Sequence, residues 1–207
     1  MELALSLIIL IVSIIAHEVA HGYAADSLGD PTARYAGRLT LNPLPHIDPM
    51  GSVLIPGLLV LTGSPIFFGW AKPVPYNPHN LKGRWSETVV AGAGVATNFF
   101  LALVFGLLLR FNMLPPDMFM VAATIVFVNL FLGLFNLIPF PPLDGFTALR
   151  SALPWHMARG LHRLEAQVQS MGMMALILFL VVFSFVLVGP FSNLVRFLFA
   201  LITGAGV

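Results

Sequence analysis

The sequence predicts an all-α integral membrane protein with about five to six transmembrane or re-entrant helices and a short β-hairpin or strand region after the first helix. Three observations carry this. Hydrophobic residues make up 58% of the 207 and charged residues only 9%, far from the balance of a soluble domain. Apolar runs of roughly 17 to 25 residues, long enough to cross a hydrocarbon core, recur along the chain. Between them lie stretches rich in glycine and proline, which interrupt helices.

The first run covers about residues 2–25. It has no basic leading region and continues into His17, Glu18 and His21 rather than a cleavage site, so it reads as a retained helix and not a signal peptide. Residues 26–48 are polar, and within them ARYAGRLTL has the near-alternation of a strand or hairpin. The run 51–68 is broken by Pro56, Gly57, Gly63 and Pro65, which suits a re-entrant or broken helix. The segment GWAKPVPYNPHNLKGRW reads as an extended loop because Pro73, Pro75 and Pro78 exclude a helix. Two clear spans follow at about 88–109 and 118–138, the second ending at PFPPLDG. A more polar segment, 146–169, leads to a span at 171–188. Beyond Gly189 and Pro190, residues 191–202 suit either a last crossing or an interfacial helix. One polytopic domain over 1–207 is expected, its functional core about 1–150 and its C-terminal helices about 151–207.

The absence of cysteine removes disulfides and thiolate ligands, leaving imidazole and carboxylate for any metal. A net charge of +1 gives no reason to expect nucleic acid. The basic residues are nevertheless unevenly spread. If 51–68 re-enters on the side it left, Arg34, Arg38, Lys72, Lys82, Arg84, Arg150, Arg159 and Arg163 share one face, while Arg110 lies opposite. The positive-inside rule makes that face cytoplasmic. Trp70, Trp85 and Trp155 flank spans and suit an interface belt.

His17, Glu18, Val19, Ala20 and His21 form H-E-x-x-H inside an apolar helical run. Residues four apart share a helix face, so both imidazoles can grip one zinc ion while Glu18 reaches the water that the metal activates. Burying ionisable groups in a membrane helix costs roughly 2.5 kcal/mol or more per charge, so they mark function. Catalytic zinc takes three protein ligands, and Asp144 is the best third. It follows a proline-broken turn, where non-helical backbone at membrane depth must line a cavity or be buried; a simple N-cap is its alternative role. Asp26, Asp30 and Asp48 are poorer candidates, and His46, His79, His156 and His162 read as solvated or interfacial.

HEVAHG and NLIPFPPLDG together resemble the two signatures of the site-2 protease family of intramembrane metalloproteases, in its compact form without a PDZ domain. GRLTLNPLPHIDPMGS and FGWAKPVPYNPHNL resemble its connecting segments, and the likeness spans residues 10–150. It implies a zinc endopeptidase, with one Zn2+ per chain, that hydrolyses peptide bonds in transmembrane segments of membrane-protein substrates. His17, His21 and Asp144 would hold the metal, Glu18 would be the base, and Asn136 would contact the substrate backbone or the oxyanion. The resemblance also implies a site role for Asn98, although Gly94-Val95-Ala96-Thr97-Asn98 has valine where the family often has proline. It further implies a bacterial or archaeal cell membrane, and the charge asymmetry puts the site nearer its cytoplasmic face. The motif's chemistry alone leaves two rivals, a membrane metallohydrolase of a lipid or prenyl substrate and a metal carrier or transporter. Neither the natural substrate nor the oligomeric state is specified.

Overall fold

The computed structural model describes residues 2–54, 58, 61 and 71–204. Its α-helices are α1 (Glu2–Ser27), α2 (Thr32–Tyr35), α3 (Ser86–Arg110), α4 (Phe119–Asn136), α5 (Asp144–Ala152), α6 (Trp155–Met171), α7 (Met173–Val182) and α8 (Val188–Thr203). Among the described residues, four stretches are long and apolar enough to cross a membrane: Ala4–Ser27, Ser86–Arg110, Pro116–Asn136 and Met173–Thr203. Their mean hydropathy is 2.0 to 2.7, yet only 17% to 33% of the 18-residue apolar window in each is buried inside the protein. Apolar side chains therefore face outward, as they do where lipid is the solvent.

Helix α3 is central and touches α1, α4, α5 and α8. Its buried face repeats every four residues through Val90, Gly94, Asn98, Ala102 and Gly106. Small residues at this spacing let helices approach closely. Ala102 packs with Val126 and Leu130 of α4 and Val195 of α8, all at most 1% exposed.

Two expectations are corrected. No strand occurs among the described residues, so the predicted β-hairpin is absent there. ARYAGRLTL instead completes the short α2, whose carbonyls accept from Ala36, Gly37 and Arg38, with Gly37 at φ +65° ending the turn as glycine does at helix C-termini. Burial along it does not alternate as in a strand: Ala33 and Arg38 are buried and residues 34–37 between them are exposed. The second concerns Gly189 and Pro190, which do not separate two elements. Residues 173–203 form one continuous run with a π-helical turn at Phe183–Leu187. A widened turn just before a proline accommodates its missing N–H and its ring. Residues 191–202 thus belong to a helix long and apolar enough to cross a membrane. The expected re-entrant run at 51–68 lies mostly outside the described residues; its start is a π-type turn, Pro49–Leu54.

Candidate metal centre

His17 and His21 lie one turn apart on α1, 6% and 9% exposed. Each ring is fixed by a partner on α3. His21 Nδ1 meets the Val90 carbonyl at 2.7 Å, and His17 Nδ1 meets Asn98 Oδ1 at 2.6 Å. Between these two, Gly94 makes the room: a Cβ there would sit 2.5 Å from His21 Nε2 and 2.6 Å from His17 Cε1.

The third group arrives from the proline-rich break. Helix α4 ends at Asn136, the chain turns through 137–143, and α5 opens at Asp144. Gly145 lets this turn close on itself, since a Cβ would lie 2.2 Å from the Leu137 carbonyl oxygen. No side chain caps α5. Asp144 Oδ2 instead sits 3.0 Å from His17 Nε2 and 3.3 Å from His21 Nε2, and the two Nε2 atoms are 3.0 Å apart.

These residues fit a metal. Both Nδ1 atoms face oxygen acceptors, so in neutral rings both Nε2 atoms carry lone pairs, and Asp144 Oδ2 is buried without a hydrogen-bond partner. Three lone-pair atoms then converge on one point, which a cation satisfies. Ligands about 2.0 to 2.1 Å from a tetrahedral ion lie roughly 3.3 Å apart, close to the spacing found. Nitrogen and carboxylate donors without thiolate suit zinc.

Glu18 faces the same cavity, of about 240 Å³, which His17, His21, Tyr76, Asn136, Asp144 and Thr147 also line. Its Oε2 accepts from the Val74 amide at 2.8 Å. That amide belongs to a strap, residues 71–77, held at both ends. Arg38 donates to the carbonyls of Lys72 at 2.6 Å and Pro73 at 3.2 Å. Asp30, fully buried, accepts from the Asn77 amide at 2.6 Å and Asn80 Nδ2 at 2.8 Å. Burial opposes the charge of Asp30, but the donors on Thr32, Asn80 and Asn77 outweigh it and hold its carboxyl below the usual value. Burial, assisted by the charge of Glu87, pushes the Tyr76 hydroxyl up to about 12, so it remains a neutral donor.

The remaining sequence candidates fall as follows. Asn136 lines the cavity and donates to its own helix at Leu132 O, 3.0 Å away. Asn98 is 0% exposed and lies behind His17, away from the cavity lining. Asp26 pairs with Arg34, and Asp48 accepts from the amides of Met50 and Gly51. His46, expected to be solvated or interfacial, is buried, with Nε2 at 2.9 Å from Thr40 O. Sequence reasoning missed Val74, Tyr76 and Arg38. The only hint was the proline pattern of the strap, which marks a loop but not what it touches.

The sequence model of peptidase family M50 matches residues 112–183, which include Asp144. YwhC of Bacillus subtilis, a candidate zinc metalloprotease by name, is 40% identical over 187 residues, covering 85% of this chain and 78% of YwhC. Rip2 of Mycolicibacterium smegmatis, named in the same way, is 34% identical over 145 residues, covering 69% of this chain and 55% of Rip2. Rip2 of Mycobacterium tuberculosis is 30% identical with the same coverage. No solved structure matches the chain. With the zinc-compatible cluster of His17, His21 and Asp144, these likenesses establish that the chain belongs to peptidase family M50, the site-2 protease family of zinc metalloproteases.

Proposed function

We propose that this chain is an intramembrane endopeptidase, holding one zinc ion per chain, that cuts transmembrane segments of other membrane proteins. The observation that carries the reading is the meeting, in one cavity, of Glu18 with the His17, His21 and Asp144 cluster, at the end of a bundle whose long helices turn apolar side chains outward. Zinc, when bound by those three residues, supplies Lewis acidity that polarises the scissile carbonyl and makes water nucleophilic near neutral pH.

Glu18 does the proton work. The Val74 amide fixes Oε2, which leaves Oε1 to take a proton from the attacking water and pass it to the leaving amine. Asn136, in the cavity wall, is placed to contact the substrate backbone. Tyr76, a neutral phenol, is a second donor facing the same space. A substrate helix must unwind before its backbone reaches this cavity. The extended strap 71–77, whose Val74 amide already faces Glu18, is the segment best suited to hold unwound chain by backbone pairing.

Sidedness follows from charge. The segments 28–48, 71–85 and 137–172 lie at the end of the bundle that holds the site: Lys82 N donates to Leu28 O and Arg38 to Lys72 O, while Asp144 faces the imidazoles and Arg150 pairs with Glu87 at the start of α3. They carry eight of the ten basic residues, which supports a cytoplasmic site in a bacterial membrane.

The test is Glu18→Gln in the reconstituted protein with a single-span substrate. Cleavage is expected to fall by roughly 10²-fold or more, the low end of what general acid–base groups contribute, with zinc content unchanged. Undiminished cleavage would remove Glu18 from the mechanism.

A further inference from the structure

We infer that Asn129 is a positioning residue of the metal centre, and that the Ile125 carbonyl acts through it to set which nitrogen of His17 carries the proton. The inference rests on the metal-centre reading above. Behind His17 runs a chain of amides buried between α1, α3 and α4. His17 Nδ1 meets Asn98 Oδ1 at 2.6 Å. Asn98 Nδ2 donates to Asn129 Oδ1 at 2.9 Å. Asn129 Nδ2 donates to Ile125 O and to Ser13 Oγ, each at 2.9 Å. Both asparagines are 0% exposed and Ser13 is 3% exposed.

A side-chain amide can be turned end for end, and its direction decides what His17 does. With Asn98 Oδ1 facing the ring, the proton sits on Nδ1 and Nε2 is bare for a metal. Reversed, the amide would donate to Nδ1, the proton would move to Nε2, and the metal position would be blocked. Nothing adjacent to Asn98 fixes this choice, because Asn129 is itself reversible. The Ile125 carbonyl is not, since it can only accept. It fixes the NH2 of Asn129, which points the Asn129 oxygen at Asn98 and the Asn98 oxygen at His17.

His21 reaches the same state in one step, because its Nδ1 faces the acceptor-only Val90 carbonyl. A relay of neutral amides also avoids a second buried carboxylate at membrane depth.

Zinc affinity of the full chain in nanodiscs, measured by chelator competition, tests the relay. Asn129→Leu is expected to weaken zinc binding roughly 10- to 100-fold, the range for groups that orient ligands. In an Asn98→Asp background the same substitution should cost nothing more, because a carboxylate accepts from Nδ1 whichever way it is turned. An equal loss in both backgrounds, or none in either, overturns the inference. Ser13→Ala keeps the Ile125 contact and should leave affinity unchanged; a loss as large as that of Asn129→Leu would overturn the role of Ile125. Nitrogen NMR of labelled histidine in the zinc-loaded wild type needs no variant to fold: a proton on His17 Nδ1 with the metal on Nε2 supports the relay, and metal bound through Nδ1 overturns it. A wild type that takes up no zinc would sink the metal-centre reading itself, whereas one that binds zinc while Asn129→Leu costs nothing would overturn the relay alone.

Discussion

Asp144 opens α5, a position where aspartate ordinarily caps a helix, yet its Oδ2 faces two imidazoles. Asparagine caps as well as aspartate but lacks the charge that binds zinc. Asp144→Asn is therefore expected to fold and insert normally while losing zinc affinity by at least the roughly 10- to 100-fold typical of orienting residues. Metal analysis after dialysis checks it, and full occupancy at wild-type cleavage would return Asp144 to a capping role. Asp30 provides a pH test away from the metal. Its carboxyl is held below 3.8 in the folded protein, so it contributes stability above its unfolded value that is lost as the pH falls through the folded one. Thermal unfolding should show the wild type losing stability below about pH 4, and Asp30→Asn losing less over that range while being less stable at neutral pH.

At the scale of elements, α3 shows local preference yielding to the site. Alanine is favoured over glycine in a helix by about 1 kcal/mol, so Gly94→Ala should help α3 in isolation. Its methyl would stand within 2.7 Å of three imidazole atoms, however, and the expected outcome is a folded protein that no longer holds zinc. Full zinc occupancy in this variant would mean that the rings can move aside. The strap gives a complementary case. Arg38 is 5% exposed and spends its guanidinium on the carbonyls of Lys72 and Pro73, next to the amide that holds Glu18. Hydrogen bonds from charged donors contribute about 1.5 to 3 kcal/mol. Arg38→Gln should accordingly lower kcat/KM roughly 10- to 100-fold with zinc retained; unchanged kinetics would show that the strap holds without it.

For the whole molecule, the decisive property is which end faces the cytoplasm. Arg110 bonds the Leu201 carbonyl at 2.7 Å at the end of the bundle away from the site. Ser27 and Ser170 are exposed near the site end, and Met113 is 68% exposed at the other. Because the chain has no cysteine, single cysteines report without background. In intact cells an impermeant thiol reagent should label Met113→Cys and spare Ser27→Cys and Ser170→Cys. The reverse pattern would invert the topology.

The sequence by itself determined the class of molecule and the pieces of its site. Apolar runs, interrupting prolines and H-E-x-x-H are local patterns, set by solvent transfer and helix periodicity, and they are readable without a partner. Tertiary structure decided what depends on two distant segments meeting. It separated α2 from a strand, because no second strand lies beside ARYAGRLTL among the described residues. It joined the segments on either side of Pro190, because a widened turn accommodates the proline. It brought Val74 onto Glu18 and placed Val90, Gly94 and Asn98 behind the imidazoles, 69 to 81 residues away in the chain. A carbonyl that accepts or a glycine that makes room has no signature in its own letter. It becomes legible only when packing shows which side chain it faces.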